Sequence, residues 1–205
     1  AMVFVFFVIL IAFAFITMNA FNETSLVQKK ANSAHIGVVT VEGVIMESKE
    51  TIELLQTAEE DKQLQAIILR IDSPGGAVGP TQEIYEEIQR IDKKKPVYAS
   101  FGGIAASGGY YLGAATRKIW ASPGTLTGSI GVIMEFMDLS KLYEFAKVSP
   151  QTVKAGRYKD AGNPSRALTQ EESDMMNTLI AGVHKQFIND ILKRRADRIK
   201  GDIHE

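Results

Sequence analysis

One serine stands among small residues where a predicted strand meets a predicted helix. The segment 102–111 reads Gly-Gly-Ile-Ala-Ala-Ser-Gly-Gly-Tyr-Tyr and places Ser107 shortly after the apolar run 97–101. At such a junction the hydroxyl is exposed, and the neighbouring N–H groups can face the oxygen of an attacked carbonyl. The flanking glycines let a substrate backbone come close. The segment fits a nucleophilic serine, and it fits equally a tight turn in which Ser107 only caps a helix.

The composition of the chain narrows the chemistry that could accompany this serine. There is no cysteine, which excludes thiol catalysis, thiolate metal sites and disulfides. The three histidines, His35, His184 and His204, lie outside any motif, so neither a Ser-His-Asp triad nor a histidine metal site is predicted. We expect no metal and no cofactor, and a lysine is the best candidate for the base of Ser107. A net charge of −1 gives no basic field, so no nucleic-acid partner is expected.

The N-terminal segment is apolar enough to cross a membrane. Residues 2–16 carry no polar side chain, and 17–21 extend the run to the length of a bilayer span, which needs roughly 17–25 residues. A cleaved signal peptide is the alternative, but the apolar part is long for one and no small-x-small cleavage site follows it. We therefore predict a transmembrane anchor at 1–21 and interpret the polar stretch 22–34 as a linker.

From residue 35 onward, short apolar runs alternate with helical periodicity, which predicts an α/β domain. Two Gly-Gly turns, at 73–76 and 106–109, each close a strand and open a helix. A capping-box pattern, Thr169-x-x-Glu172, opens the last helix. Strands are predicted at 36–41, 66–71, 97–101, 118–121, 127–132 and 151–154. Helices are predicted around 52–58, in the segment of Pro80 to Ile91, at 110–115, after Asp138 and from Thr169 onward.

Four motifs in this order resemble the signal peptide peptidase A family, the membrane-anchored serine proteases of peptidase family S49 in the Clp-protease/crotonase superfamily. They are Asp-Ser-Pro-Gly-Gly at 72–76, Ala-Ala-Ser-Gly-Gly-Tyr-Tyr at 105–111, Leu-Thr-Gly-Ser-Ile-Gly-Val at 126–132 and Gly-Arg-Tyr-Lys-Asp at 156–160. The resemblance spans about 36–200. It implies a Clp-protease/crotonase-like domain of stacked β-β-α units, preceded here by one transmembrane helix.

Carried over residue by residue, the resemblance implies a Ser-Lys dyad. Ser107 matches the nucleophile and Lys159 the general base. Gly76 and Gly108 match the two backbone donors of the oxyanion hole, and Ser129 matches a hydroxyl that orients the lysine amine. A free lysine has a pKa of about 10.4, so a lysine base must be desolvated to accept a proton at neutral pH.

The resemblance also carries expectations about substrates, location and assembly. It implies remnant signal peptides and other membrane-associated peptides as substrates, a single-pass protein in contact with the lipid of the cell membrane, and a catalytic domain outside the cytoplasm. Single-domain members form homo-oligomeric rings with the lysine supplied by the neighbouring protomer, so Lys159 could act in its own chain or in the next. Because the family continues beyond this point, the domain 35–205 is expected to lack the C-terminal part of the fold.

Three further expectations complete the sequence-based hypothesis. Asp160 would favour the charged form of its lysine neighbour, so we expect its carboxylate to point elsewhere. A crotonase-like acyl-CoA enzyme would explain the Gly-Gly turns but not the predicted anchor. A catalytically silent membrane scaffold would need neither Ser107 nor Lys159, and both are present. The sequence therefore favours a membrane-anchored serine endopeptidase.

Overall fold

The computed structural model describes residues 35–200 and Ile203. The anchor predicted at 1–21 and the linker predicted at 22–34 lie outside these residues. Within the described part, no helix combines the length and the hydropathy that a membrane crossing requires.

Five strands of the described part form one sheet. Its order is β1-β2-β3-β4, and β5 pairs with the end of β3. Strands β2, β4 and β5 all run parallel to β3. The predicted α/β class is confirmed. The strands are β1 (His35–Ile45), β2 (Leu64–Gly76), β3 (Val97–Ala106), β4 (Ile119–Trp120) and β5 (Leu126–Gly128).

The helices follow the strands along the chain. The predicted capping box opens the longest of them: the Glu172 N–H donates to the Thr169 hydroxyl at 3.2 Å, and the Thr169 N–H donates to the Glu172 carboxylate at 2.9 Å. The last helix ends in a basic stretch, Lys193 to Arg195. The helices are α1 (Lys49–Glu60), α2 (Val78–Asp92), α3 (Gly108–Ala115), α4 (Ser140–Phe145) and α5 (Gln170–Arg195), with a 3-10 turn at Ala196–Arg198.

The core lies between the sheet and the helices that follow β2 and β3. In β2 and β3 alternate side chains are buried, because successive residues of a strand point to opposite faces. The apolar side chains of α2 recur every three or four residues and so share one face of the helix. Each buried branched aliphatic side chain contributes about 1.5–3 kcal/mol to the stability of this layer. Fully buried members are Ile67, Leu69, Ile71, Val97, Ala99, Ile84, Ile88 and Ile91.

Two predicted strands differ from the structure: one is shorter than predicted, and the other is absent. The strand predicted at 127–132 ends at Gly128, and the segment 151–154 forms no strand at all. Val153 in that segment is fully exposed. Residues 127 and 128 pair with β3, whereas within the described part residues 129–132 and 151–154 have no neighbouring strand to pair with. An apolar, β-branched sequence alone therefore does not make a strand.

The two strands that lead to the glycine motifs, β2 and β3, are longer than predicted. β2 continues through the Ser-Pro-Gly-Gly motif to Gly76, with an irregular register between Ile71 and Ser73. β3 continues to Ala106, and α3 begins at Gly108, two residues before the predicted start. The first glycine motif is therefore the end of a strand, and the second joins the end of β3 to the start of α3. The pairing of β2 with β3, which extends to Ser73 and Ala105, fixes their mutual position.

Candidate active site

The two glycine motifs meet at one edge of the sheet. Because β2 and β3 are parallel and Ser73 lies opposite Ala105, their carboxyl ends lie side by side. Gly75 has φ +102°, and a Cβ built on it would lie 2.7 Å from the Gly108 nitrogen and 2.9 Å from the Ser107 Cβ. Only glycine provides both this backbone conformation and this close approach. The β2 end thus packs directly on the start of α3.

Ser107 occupies a strained turn between β3 and α3. Its backbone has φ 49° and ψ −119°, a conformation that side-chain-bearing residues rarely adopt. The turn is held from both sides, since the Ser107 N–H donates to the Gly128 carbonyl at 2.8 Å and the Tyr111 N–H donates to the Ser107 carbonyl at 2.9 Å. Such strain persists only where surrounding contacts enforce it, and it is concentrated at functional sites.

The polar groups of this turn are available to a ligand. The Ser107 side chain is half-buried, and its hydroxyl makes no hydrogen bond to another described residue. The Gly108 N–H, in the first turn of α3, also lacks an acceptor among the residues that the structure describes. A first-turn N–H of a helix has no partner within the helix and carries the positive end of the helix dipole. This amide can therefore receive developing negative charge.

A largely apolar cavity of about 460 Å³ opens beside Ser107. Its size falls in the range of ligand pockets. Gly76 and Gly108 line one part of it, while Ser129 and Gly131 line another. A carbonyl group bound at Ser107 would thus be surrounded by backbone amides, with apolar surface for a side chain beyond. The apolar lining consists of Val44, Val78, Tyr111, Val132, Ile133, Val183 and Phe187.

The wall of the cavity next to α5 is built on a buried tyrosine pair. The Tyr111 hydroxyl donates to the Asp190 carboxylate at 2.5 Å, and the Tyr85 hydroxyl donates to the Asp190 carbonyl at 3.0 Å. The two rings stack 4.2 Å apart, and Phe187 meets Tyr111 edge-on at 4.8 Å. Burial raises the pKa of Tyr85 to about 12, and burial together with the Asp190 bond also raises the pKa of Tyr111. Both hydroxyls therefore stay protonated as donors.

Helix α5 is fastened to the far end of α3. Arg195 is buried and donates to the carbonyls of Gly113 and Thr116 at 2.9 and 2.8 Å. Arg194 donates to the Ala115 carbonyl at 2.8 Å. These cations donate hydrogen bonds to last-turn carbonyls of α3 that have no partner within the helix. Their positive charge also stabilises the negative end of the helix dipole. Helix α3, which follows Ser107, is thereby held at its other end by the helix that lines the cavity.

The structure brings four of the five predicted site residues to this cavity. Gly76, Ser107, Gly108 and Ser129 all line it. Lys159 does not: it is exposed and lies in the irregular segment before α5, with its backbone N–H donating to Gly156 at 3.4 Å. Within this chain the cavity therefore holds a serine and amide donors but not the predicted base.

The carboxylate next to Lys159 faces other cations. Asp160 accepts hydrogen bonds from Lys154 and forms an ion pair with Arg166 at 3.2 Å. The bond from Lys154 is the main reason that the pKa of Asp160 lies below its usual range, and Arg166 adds to it. The prediction that Asp160 points away from Lys159 is confirmed.

Sequence reasoning missed several residues of the site. Tyr111 lies one helical turn after Ser107, and that spacing is the signal that could have placed it on the same side of α3. His184 donates from Nε2 to the Ile130 carbonyl at 3.0 Å, next to Ser129, and no sequence pattern signals this contact. Among the described residues, no group of three or more His, Cys, Asp or Glu side chains could hold a metal ion.

Family models match the chain on both sides of the glycine motifs. The model of peptidase family S49 matches residues 89–201, which include β3, α3 and α5. The model of the Clp protease family matches residues 25–124. The two matches overlap across the turn that contains Ser107.

Individual proteins are similar over most of this chain. A candidate protease of Synechocystis sp. is 39% identical over 169 residues, which are 82% of this chain and 61% of that protein. A candidate signal peptide peptidase SppA of Enterococcus faecium is 32% identical over 191 residues, or 86% of this chain and 55% of that protein. The chloroplastic serine protease SPPA of Arabidopsis thaliana is 38% identical over 152 residues, which are 74% of this chain and 22% of that protein. The chain spans little more than half the length of the first two.

Proposed function

Because the chain belongs to peptidase family S49, we propose that it forms the catalytic domain of a serine endopeptidase in which Ser107 is the nucleophile and Lys159 the general base. The observation that carries this proposal is the conformation of Ser107. Its strained backbone, φ 49° and ψ −119°, holds an unbonded hydroxyl at the mouth of an apolar cavity, beside the unpaired Gly108 N–H. A turn that served only to cap a helix would not require that strain.

The proposed reaction is acyl transfer in two steps. The Ser107 Oγ attacks the carbonyl carbon of the scissile peptide bond, and its proton passes to the neutral amine of Lys159. The Gly76 and Gly108 N–H groups donate to the oxygen of the tetrahedral intermediate, while the Ser129 hydroxyl orients the amine. The intermediate collapses to an acyl-enzyme as the lysine returns the proton to the leaving amine. Water then attacks the acyl-enzyme in the same way and releases Ser107.

We further propose that the dyad is completed between two copies of the chain in a ring. Two observations support this. Lys159 is exposed and does not line the cavity of its own chain. The segment 133–153, which leads to Lys159, exposes large apolar side chains. Their exposure to water is unfavourable, and a neighbouring copy would cover them. These are Ile133, Met137, Leu142, Phe145, Val148 and Val153.

The substrates that fit this proposal are apolar peptides. The cavity beside Ser107 is lined mostly by aliphatic and aromatic groups, so a small or apolar side chain on the acyl side of the cut would be favoured over a charged one. Remnant signal peptides have this character, and the Enterococcus faecium relative is named as a candidate signal peptide peptidase. The apolar sequence 1–21 would keep the domain at the membrane, outside the cytoplasm, where such peptides lie.

A serine-directed acylating probe tests the proposal directly. The purified protein is incubated with the probe, and the modified residue is mapped by mass spectrometry. We expect a single modified serine, Ser107, no modification in Ser107→Ala, and unchanged labelling in Ser122→Ala, an exposed serine outside the cavity. Loss of a nucleophile removes several orders of magnitude in rate. Peptide hydrolysis by Ser107→Ala at a near-normal rate would refute the assignment.

A further inference from the structure

We propose that His184 is a positioning residue for Ser129: its Nε2–H holds the Ile130 carbonyl and thereby fixes the backbone on which the Ser129 hydroxyl stands. The inference rests on the proposed function, because it explains how the hydroxyl that orients the base is kept in place. It gives a role to a histidine that, among the described residues, packs beside the site.

The backbone at Ser129 is strained and is held on both sides. Ser129 has φ +53°, a conformation unfavourable for a residue with a side chain. The residue before it, Gly128, accepts a hydrogen bond from the Ser107 N–H at 2.8 Å. The residue after it, Ile130, accepts from His184 Nε2 at 3.0 Å. The left-handed conformation of Ser129 is therefore enforced by one bond from the nucleophile's own turn and one from α5.

No regular structure replaces the His184 contact. Strand β5 ends at Gly128, and the chain has no helix or strand again until α4 begins at Ser140. The carbonyl of Ile130 thus has no partner in a sheet ladder, and His184 is the group that satisfies it among the described residues. An unpaired carbonyl at a partly buried position costs free energy, so loss of the imidazole would let this segment move.

The position of His184 is itself well defined. It is half-buried on α5, one turn before Phe187 and Ile188, both of which are buried. The end of α5 is anchored on α3 through Arg195. The hydrogen bond from His184 therefore ties the backbone next to Ser129 to α5, a helix that also lines the cavity. Since α5 is in turn bonded to α3, the Ser107 and Ser129 hydroxyls are held relative to the same helix.

The imidazole is a hydrogen donor in this contact. A carbonyl oxygen can only accept, so Nε2 of His184 must carry the hydrogen. The neutral Nε2–H tautomer and the imidazolium both provide that donor, so the contact is kept when the ring gains a proton. The Nε2 nitrogen of His184 is thus committed to Ile130, and the role that we assign to the ring is positional.

Three substitutions test this role. His184→Gln places an amide N–H near the position of Nε2, His184→Asn is too short to reach, and His184→Leu removes the donor. We expect the His184→Leu and His184→Asn variants to lower kcat at least about tenfold and to change KM by less than about threefold. The reason is that a small displacement of a catalytic group reduces the rate by up to about 10²-fold. The glutamine variant is expected to retain kcat within about threefold of the parent protein. Lys185→Leu, an exposed neighbour on α5, is the control and keeps the parent kcat.

Two measurements separate this inference from the proposed function. Labelling of Ser107 by the acylating probe in the parent protein establishes whether the serine is reactive, and an unlabelled parent would overturn the proposed function and this inference with it. With a reactive parent, equal kcat in His184→Asn and the parent would overturn the inference alone. Amide hydrogen exchange at 129–131 should be faster in Asn and Leu than in Gln. If Leu fails to fold, Asn decides, because a short polar side chain is tolerated at a half-exposed helix position.

Discussion

The backbone N–H of Ser107 donates to the carbonyl of Gly128 over 2.8 Å, so the turn that carries the serine is bonded directly to the end of β5. The next residue along the chain from Gly128 is Ser129, the other strained serine of the cavity. The two hydroxyls assigned to nucleophilic attack and to orientation of the base therefore belong to backbones separated by a single hydrogen bond. Their relative position follows from the pairing of β5 with β3.

The close contact of Gly75 with the Ser107 turn should make Gly75→Ala destabilising and inactivating. A methyl group there would lie 2.7 Å from the Gly108 nitrogen and would be attached to a backbone at φ +102°. We expect a loss of about 2–4 kcal/mol in the free energy of unfolding, from the left-handed conformation and the overpacking together. Denaturant titration measures it, and probe labelling of Ser107 measures the displacement of the site.

Gly79→Ala is the matched control for that substitution. Gly79 lies in the first turn of α2, with nothing within 4 Å of the added methyl group. Alanine is favoured over glycine in a helix by roughly 0.5–1 kcal/mol, so the variant should be as stable as the parent or slightly more so. A similar loss of stability in both variants would contradict the argument from the Gly75 contact.

A lysine base predicts a specific response to substitution. Lys159→Arg should lower kcat by about 10²–10⁴-fold, because arginine keeps its proton at any accessible pH and cannot act as a general base. Lys141→Arg, at an exposed position of α4, serves as the control. Full activity in Lys159→Arg would rule out this base.

Mixing two inactive variants tests whether the dyad spans two copies. Ser107→Ala and Lys159→Ala are combined under conditions that allow subunits to exchange. If the lysine comes from the neighbour, random exchange in a symmetric ring restores about one quarter of the parent activity, the fraction of interfaces that join an intact serine to an intact lysine. Absence of recovery in demonstrably mixed oligomers would mean that each chain builds its own dyad.

The Tyr111–Asp190 bond should contribute to stability more than to the chemical step. Tyr111→Phe removes the donor at 2.5 Å from a buried carboxylate and should reduce the free energy of unfolding by about 1–3 kcal/mol. The aromatic surface beside Ser107 remains, so KM for an apolar peptide should change little. Tyr98→Phe is the control, because the Tyr98 hydroxyl makes no hydrogen bond to another described residue. Equal stability of the two variants would contradict the prediction.

The Glu172 carboxylate should make the free energy of unfolding depend on pH in the acidic range. Hydrogen bonds from Arg166, and then from the Thr169 N–H, lower the pKa of Glu172 from the ordinary 4.5 to about 2. A carboxyl group with a lowered folded-state pKa stabilises the fold above its unfolded value, and this contribution is lost as the pH falls from 4.5 towards 2. Glu172→Gln should flatten the dependence of unfolding midpoints on pH in this window. Glu171→Gln, exposed on the same helix, should leave the dependence as in the parent.

Much of the fold is determined locally in the sequence. The apolar spacing of Ile84, Ile88 and Ile91 and the capping box at Thr169 depend on residues within one or two turns, and both are found as predicted. The order of strand, glycine motif and helix likewise placed Ser107 at a strand-to-helix junction. Local hydrogen bonding and helical periodicity need no knowledge of the rest of the chain, so single-sequence reasoning captures them.

What only the tertiary structure decided is which of these groups meet. The pairing of β2, β3 and β5 brings Gly75, Ser107 and Ser129 to one cavity, while the exposed position of Lys159 leaves it outside. His184 reaches Ile130 across 54 positions of sequence. Such contacts depend on the register of strands and the docking of α5, which are set by the packing of the whole core. The type of a residue and its neighbours in sequence determine what chemistry it can perform. Which residues it contacts is determined by the free energy of the whole folded domain.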